Sequence, residues 1–574
     1  MSPATSSGMD IGRKARVEAW LARHPLTAAF VFHAIGFLLV YRIWTPAFMT
    51  TDDPEMMLQA CGVSVADHSS AYLLFTNVVL GKALKIAYSW APHVPWYGFY
   101  LAGVMFLAYV CILYVVLRNR PRLISLYVYA ALFVLAGIHP LLRLQFTIAA
   151  CMASLAGLML FLVKGPQTSP GVMTGRAACA AAMVALGSAI RWDAFLMSVA
   201  LFLPVAVVDT WGQSRAIVIR RAVGFVGAMA ICGALYLIDD YERRSIKGWE
   251  DYRALDRLIV RLLDDRVLDA HDTGSISNRI ARLRWSMNDY SMLSSWVWMD
   301  GDRYSAERLA SLLAGQSPMK QVRARDVVLW AQGVFWQYAP RNCVLLVFLL
   351  AALSAGARSR WALGTVSATV LVLLIYLFLA RRPPPLWVYL PLLTSWTMLS
   401  IAVTDVQGPS TAHRCRALIC LLVTLALLLQ AYGTLTMHTK RSREIEAGRQ
   451  WLETTLTQLN PNRDTLYVIQ GAAFPWRWIT PFSDLSHLRN FCTFNLWTDQ
   501  RGPTASETLD RFRIVDLYRA LATRKDVLLI PRSTVFVTTF QTYLQEHYGI
   551  RTEAAETFRS EYFSVYRFSE KAAP

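Results

Sequence analysis

Two adjacent carboxylates, Asp52 and Asp53, stand in the stretch AFMTTDDPEMM (47–57), just after an apolar run, TAAFVFHAIGFLLVYRIW. Neighbouring like charges repel, and beside a bilayer they are costly unless something uses them. A paired acid of this kind suits proton abstraction from a hydroxyl. The plainer reading is a helix start, because Asp ahead of Pro54 and Glu55 is favourable first-turn chemistry. A capping residue can also be a base, so the two readings coexist.

Other ionisable groups sit beside the ends of apolar runs. His139 and Arg143 lie in GIHPLLRLQF, Arg191 and Asp193 in SAIRWDAFL, and Arg381 and Arg382 in LARRPPPLW. Each alone reads as a charge snorkelling to the membrane surface. Together they would surround one cavity with an imidazole and several guanidiniums, whose forks match phosphate oxygens. A third cluster, RWSMNDYSMLSSWVWMDGDRY, gathers Trp285, Asn288, Asp289, Tyr290, Trp296 and Trp298. Aromatic faces beside Asn and Asp suit a sugar ring, and an interfacial aromatic belt is the equal alternative.

What must position these groups is a membrane scaffold. Of 574 residues, 55% are hydrophobic and 17% charged, against about 25% charged in soluble domains. Mean hydropathy is +0.35. Apolar runs long enough to span, roughly 17–25 residues, recur along the chain. The net charge of +18 resides mostly in short loops between those runs, the pattern of membrane topology and of contact with anionic lipid. No basic stripe with interleaved aromatics appears, so nucleic-acid binding is excluded as a reading. The nine cysteines show no metal-ligand spacing, and most lie in apolar runs as small hydrophobes. Cys61 and Cys492 would both lie outside the membrane, where a disulfide is open to them. After Arg13, Lys14, Arg16 and Arg23 the first apolar run lacks a small-residue cleavage site, so an uncleaved first span is expected.

Eleven spans are expected, near 27–44, 98–117, 123–140, 146–163, 177–190, 195–209, 221–238, 341–357, 362–380, 386–404 and 416–436. With a cytoplasmic N-terminus, the inner loops hold Arg118, Arg120, Arg122, Lys164, Arg176, Arg215, Arg220, Arg221, Arg358, Arg360, Arg414 and Arg416. The short outer loops hold fewer, and the acidic pair falls outside. Residues 69–90 could span by length, but Lys82 and Lys85 one turn apart favour an amphipathic helix lying in the interface. The chain divides into a membrane module, 1–436, with a first outer loop at 45–97 and a long one at 239–338. A tail follows at 437–574, alternating strand-like and helix-like runs, long enough for a small α/β domain.

An acidic motif just after the first span, interfacial helices at 55–90, a seven-span module and a long outer loop at 239–338 resemble the GT-C superfamily of integral-membrane glycosyltransferases. IRWDAFL looks like the arginine-bearing turn of many members, and the tail is similar in position to their C-terminal domains. The resemblance covers about residues 25–340. It implies a bacterial inner-membrane enzyme whose active site and tail face the periplasm. That enzyme would transfer a sugar with inversion from a polyprenyl-phosphate donor to a glycan, lipid or protein acceptor. Asp52 or Asp53 would be the base, Arg143, Arg191, Arg381, Arg382 and His139 would hold the donor phosphate, and Trp285, Asn288, Asp289 and Tyr290 the sugar or acceptor. A divalent cation serves only part of the superfamily, which leaves metal open. A polysaccharide polymerase or ligase of the envelope would not require the acidic pair. A transporter would put its ionisable groups near the bilayer midplane, and a non-catalytic assembly protein is the remaining alternative.

Overall fold

The computed structural model describes residues 6–571 apart from 64–68, 164–169, 212, 265–267, 269–272, 317–323, 355, 381–383, 406–413, 460–463, 486–487, 489 and 495–508. It forms two compact units, one of residues 1–49, 99–237 and 322–444, the other of 50–98, 238–321 and 445–574.

The first unit is helical. Seven helices are long and apolar enough to cross a bilayer among the described residues: Pro25–Ile43, Trp96–Asn119, Leu123–Leu142, Trp192–Thr210, Arg215–Arg244, Ser359–Phe378 and Leu386–Val403. An eighth is counted if Ala324–Trp336 and Tyr338–Ala351, bent by 85°, form one broken span. The expectation of eleven is higher by three: Phe146–Leu160 and Gly175–Ile190 are shorter apolar helices, and the run 416–436 lies in Arg414–Leu459, which is not among those counted. Fifteen residues rise only about 22 Å, short of the roughly 30 Å hydrocarbon core. Phe146–Leu160 is buried along its whole length and so is packed in protein rather than exposed to lipid. Small residues permit that packing: a Cβ on Gly187 would lie 2.1 Å from Ser154 Oγ, the close approach typical of small residues between membrane helices. The last apolar run opens a 46-residue helix, Arg414–Leu459, which continues well past the expected end at 436.

Polar contacts in this unit sort into two sets. In one, the Arg120 guanidinium donates to the carbonyls of Ile401, Val403 and Thr404 and lies 3.6 Å from Asp405, while Arg221 pairs with Asp209 at 2.8 Å. In the other, Trp44 Nε1 donates to Thr439 Oγ1 at 3.0 Å, the Thr45 amide to Ser442 Oγ at 2.7 Å, and β1 (Ala47–Phe48) pairs in parallel with β2 (Arg143–Leu144). Every one of these contacts joins stretches that the expected alternation places on one side.

The second unit gathers the first loop, the long loop and the tail. In the first loop, the helix Val78–Trp90 is capped by Asn77, whose Oδ1 accepts from the Val79 amide. It buries Val78, Gly81, Leu84 and Tyr88, and exposes Val79, Ile86 and Trp90 beside Lys82 and Lys85. Thirteen residues do not cross a bilayer, and the exposed apolar stripe flanked by lysines has the character of an interfacial helix. Asp239 accepts from the Val78 amide at 2.7 Å and from Arg243, which also donates to the Leu73 and Thr76 carbonyls.

The tail carries a five-stranded sheet of β3 (Leu466–Ile469), β4 (Phe491–Thr493), β5 (Val527–Ile530), β6 (Thr552–Arg559) and β7 (Ser564–Glu570), ordered β4-β3-β5-β7-β6. β3 runs parallel to β4 and β5, while β7 is antiparallel to β5 and β6. The LYVI and VLLI strands are buried throughout, as continuous apolar runs in parallel sheet require. The helix Thr534–Tyr548 ends on Gly549 at φ 66°, a left-handed cap that glycine adopts without a Cβ clash. Residues of the long loop (Leu255, Ile259, Trp298, Tyr304, Leu312) and of the tail (Leu529, Phe540, Phe568) belong to one core. The expected boundary at 437 falls inside the helix Arg414–Leu459. Cys61 and Cys492 are not joined in a disulfide.

Gly98 marks a close approach within this unit: a Cβ there would lie 1.8 Å from the Pro481 carbonyl oxygen. Backbone cannot swing aside as a side chain can, and overpacking of this kind costs about 1–3 kcal/mol or more. Gly98→Ala is expected to lower the melting temperature of the detergent-solubilised protein by several degrees. Gly103→Ala, with nothing within 4 Å of its Cβ, is the matched control.

Candidate active site

The acidic pair opens the helix Asp52–Cys61. Its N-cap is Thr51, which makes no side-chain capping bond, so both aspartates are first-turn residues rather than caps. They differ in surroundings. Asp53 is 0% exposed, and its two oxygens accept from the Tyr97 hydroxyl and from Thr50 Oγ1, each at 3.1 Å. Tyr97 is itself buried, its amide donating to the Tyr88 hydroxyl at 3.1 Å. Both of its oxygens are engaged within the protein, and the residue is closed to an incoming hydroxyl. Asp52 is half-buried and is the accessible member of the pair. The sequence leaves the choice between them open, because burial alternates within one helical turn.

The cationic residues come together in the first unit. Pro140 supplies no N–H for the Ala136 carbonyl, and the helix answers with a π-helical turn at Phe133–Gly137. Within that turn the Leu135 carbonyl accepts from Asn342 Nδ2 at 2.8 Å, and the Gly137 carbonyl from the Tyr109 hydroxyl at 3.0 Å. His139 and Arg143 follow at the helix end. The His139 ring lies 5.4 Å from that of His438 on the long helix Arg414–Leu459, and Arg441 acts on His139, Arg143 and His438. Burial first, then Arg441, lowers the Arg143 pKa from its ordinary value. Guanidinium stays charged in proteins, so an anion is what relieves this repulsion. Burial, then Arg441 and Arg143, pushes His438 down to about 4. Among the described residues, no carboxylate is counted among the groups acting on these three side chains.

Arg191 stands beside the same turn. Its Nη1 donates to Thr147 Oγ1 at 3.2 Å and its guanidinium lies 5.0 Å over the Phe146 ring, a contact worth about 0.5–1 kcal/mol. Asp193 is exposed. Arg381 and Arg382 lie outside the described residues.

The aromatic stretch of the long loop needs correction. Trp285 is 5% exposed and belongs to the core of the second unit with Trp298, so it offers no free ring face to a sugar. Tyr290 packs against that core. Asp289 completes a capping box with Ser286 and meets His547 Nε2 at 2.6 Å. Asn288 lies 3.5 Å from Glu546. Trp285 thus serves the core, while Asp289 and Asn288 join loop to tail through His547 and Glu546. Asp289, Glu546 and His547 are also the one group of described residues whose ligand atoms lie close enough, within 4.8 Å, to share a metal ion.

Sequence reasoning missed the contribution of the long helix. Gln430, Thr434, His438 and Arg441 recur at helical spacing. Arg341 donates to Gln430, and Asn342 Nδ2 to Thr434 Oγ1 at 3.1 Å. That spacing is legible in the sequence, but the expected span stops at 436, which severs the stripe.

The fold and site together define a polytopic helical membrane protein with a cationic cluster at its span ends, and a second unit that carries an α/β sheet. No family model matches the chain, and no curated protein matches it. Among solved structures, it is similar to ArnT from Cupriavidus metallidurans bound to undecaprenyl phosphate, at 12% identity and a TM-score of 0.40, over 95% of this chain and 98% of that one. ArnT from Cupriavidus metallidurans in the apo state gives 13% identity and a TM-score of 0.42, over 94% of this chain and 98% of that one.

Proposed function

We propose that this protein is a membrane glycosyltransferase of the GT-C type, moving a sugar from a polyprenyl-phosphate donor to an acceptor hydroxyl at the outer face. The observation that carries the reading is the convergence of Arg143, His139, His438 and Arg441, with no carboxylate among the described groups acting on the first three. Such a cluster suits a phosphate presented at the end of a lipid.

Arg143 binds the donor phosphate, with Arg191 beside the same turn as a second guanidinium. Asp52 takes the proton of the acceptor hydroxyl, and Asp53, held by Tyr97 and Thr50, fixes the turn that presents it. The acceptor oxygen attacks the anomeric carbon as the bond from that carbon to the phosphate oxygen breaks. The electron pair leaves on that oxygen, and the configuration inverts. The arginine distribution along the loops supports a cytoplasmic N-terminus and a periplasmic tail.

Cells lacking the protein should accumulate one polyprenyl-phosphate-linked sugar, which the wild-type chain clears and the Asp52→Asn chain does not. Mass spectrometry of extracted lipids reads this directly. A lipid-linked sugar pool that is the same with and without the protein would sink the proposal.

A further inference from the structure

The mechanism so far uses Arg143 and leaves unexplained two imidazoles, His438 buried and His139 half-buried. His438 is 2% exposed, and its Nε2 is buried with no hydrogen-bond partner among the described residues. His139 Nδ1 is in the same condition. An unsatisfied buried polar atom costs about 1–3 kcal/mol, and here two occur on rings 5.4 Å apart, beside two guanidiniums. The groups facing His438 are His139 at the end of Leu123–Leu142, Arg143 on β2, Arg441 on its own helix and the Trp44 ring at 6.3 Å. None is acidic.

We infer that His438, paired with His139, is a proton-accepting element of the phosphate site, taking a proton from solvent when a phosphate dianion is bound between the arginines. The inference rests on the donor-phosphate reading above and goes beyond it. Without an anion, each neutral imidazole keeps one nitrogen unpaired, and the surrounding positive charge opposes protonation. A bound anion reverses the sign of that field and gives a ring N–H an oxygen to meet. The chemistry of transfer supplies the need. The donor is a phosphodiester with one negative charge. When the anomeric C–O bond breaks and its electron pair stays on oxygen, the product is a monoester that carries two charges above its second pKa of about 6. One added proton on the histidine pair balances the added charge, while the acceptor's own proton resides on Asp52.

The test uses the full-length protein in lipid nanodiscs, with farnesyl monophosphate, its methyl phosphodiester and inorganic phosphate as probes, from pH 6.5 to 8. Intrinsic tryptophan fluorescence reports binding. Monophosphate affinity should fall about tenfold per pH unit, the slope for uptake of one proton, while the diester shows a shallow slope. Inorganic phosphate should bind more weakly, with a shallower slope at the acid end where the free ion already carries the proton; if it binds as tightly as the lipid, the site serves free phosphate and the lipid assignment fails. His438→Gln should flatten the monophosphate slope and weaken binding at least tenfold at pH 6.5, with His438→Asn as a second variant. Melting of each variant in nanodiscs is recorded alongside, and slopes are compared only between variants that melt as the wild type does. An unchanged slope in both histidine variants, with binding lost in Arg143→Ala, would overturn the role of His438 and leave the phosphate reading intact. Wild-type protein that binds none of the three probes would overturn both.

Discussion

Asp52→Asn is expected to give a normally inserted, normally melting protein whose sugar transfer is reduced at least about a hundredfold. The substitution keeps the shape of a first-turn residue, and Asn suits a helix start about as well as Asp. It removes the charge that accepts the acceptor's proton, and general-base catalysis contributes about 10²–10⁴ in rate. Asp53→Asn should behave differently. Its carboxylate accepts from both Tyr97 and Thr50, and an amide offers only one acceptor oxygen, so one buried donor loses its partner. That variant should lose stability by about 1–3 kcal/mol as well as activity. Tyr97→Phe should reproduce part of the stability loss while leaving Asp52 chemically intact. Transfer measured in membranes, beside melting of the purified protein, separates the two aspartates. Near-normal turnover in Asp52→Asn would reduce that residue to a helix start.

Arg143→Ala is expected to weaken donor use about ten- to hundredfold in kcat/KM, the scale of one charge-assisted hydrogen bond, roughly 1.5–3 kcal/mol. The effect should not come from unfolding. Arg143 is half-buried near Arg441, with no carboxylate acting on it among the described residues, so its removal relieves repulsion, and the variant should melt no lower than wild type. Arg143→Lys should recover little, because a point charge does not reproduce the two-pronged fork. A variant that loses activity and stability in parallel would mark Arg143 as structural. A site that grows more stable when its cation is removed is one shaped for a ligand, as activity–stability trade-offs elsewhere show.

The contrast between the two loop clusters shows what the sequence could carry. Asp52, Asp53, His139, Arg143 and Arg191 were visible because charge beside apolar runs is costly and stands out by contrast. Residues 285–298 were misread for the opposite reason. Indole rings that line a sugar site and rings that fill a core have the same composition, and only the tail, nearly two hundred residues later, decides which they are. Phe540 and Phe568 supply the other half of that core. The apolar runs themselves were legible, and helices occupy each of them. Run length alone does not set the number that cross, because Phe146–Leu160 is short and buried along its whole length. His438 and Arg441 escaped notice because the end of an apolar run is not the end of the helix that contains it.

The shared core also sets a timetable for biosynthesis. The loop residues up to Leu313 pack with strands that begin at Leu466, so roughly 150 residues must still be made after the loop before its partners exist. At about 5–20 residues per second, that is an interval on the order of ten to thirty seconds. During it the apolar faces of Leu255, Ile259, Trp298 and Leu312 lack the tail they will pack with. In the same interval the membrane must take up the helices Ser359–Phe378 and Leu386–Val403. A ribosome that stalls between the two halves leaves a chain with an acidic first loop and an unfinished core, open to proteases and holding chaperones. Integrity of the second unit therefore reports that synthesis has reached its last strand.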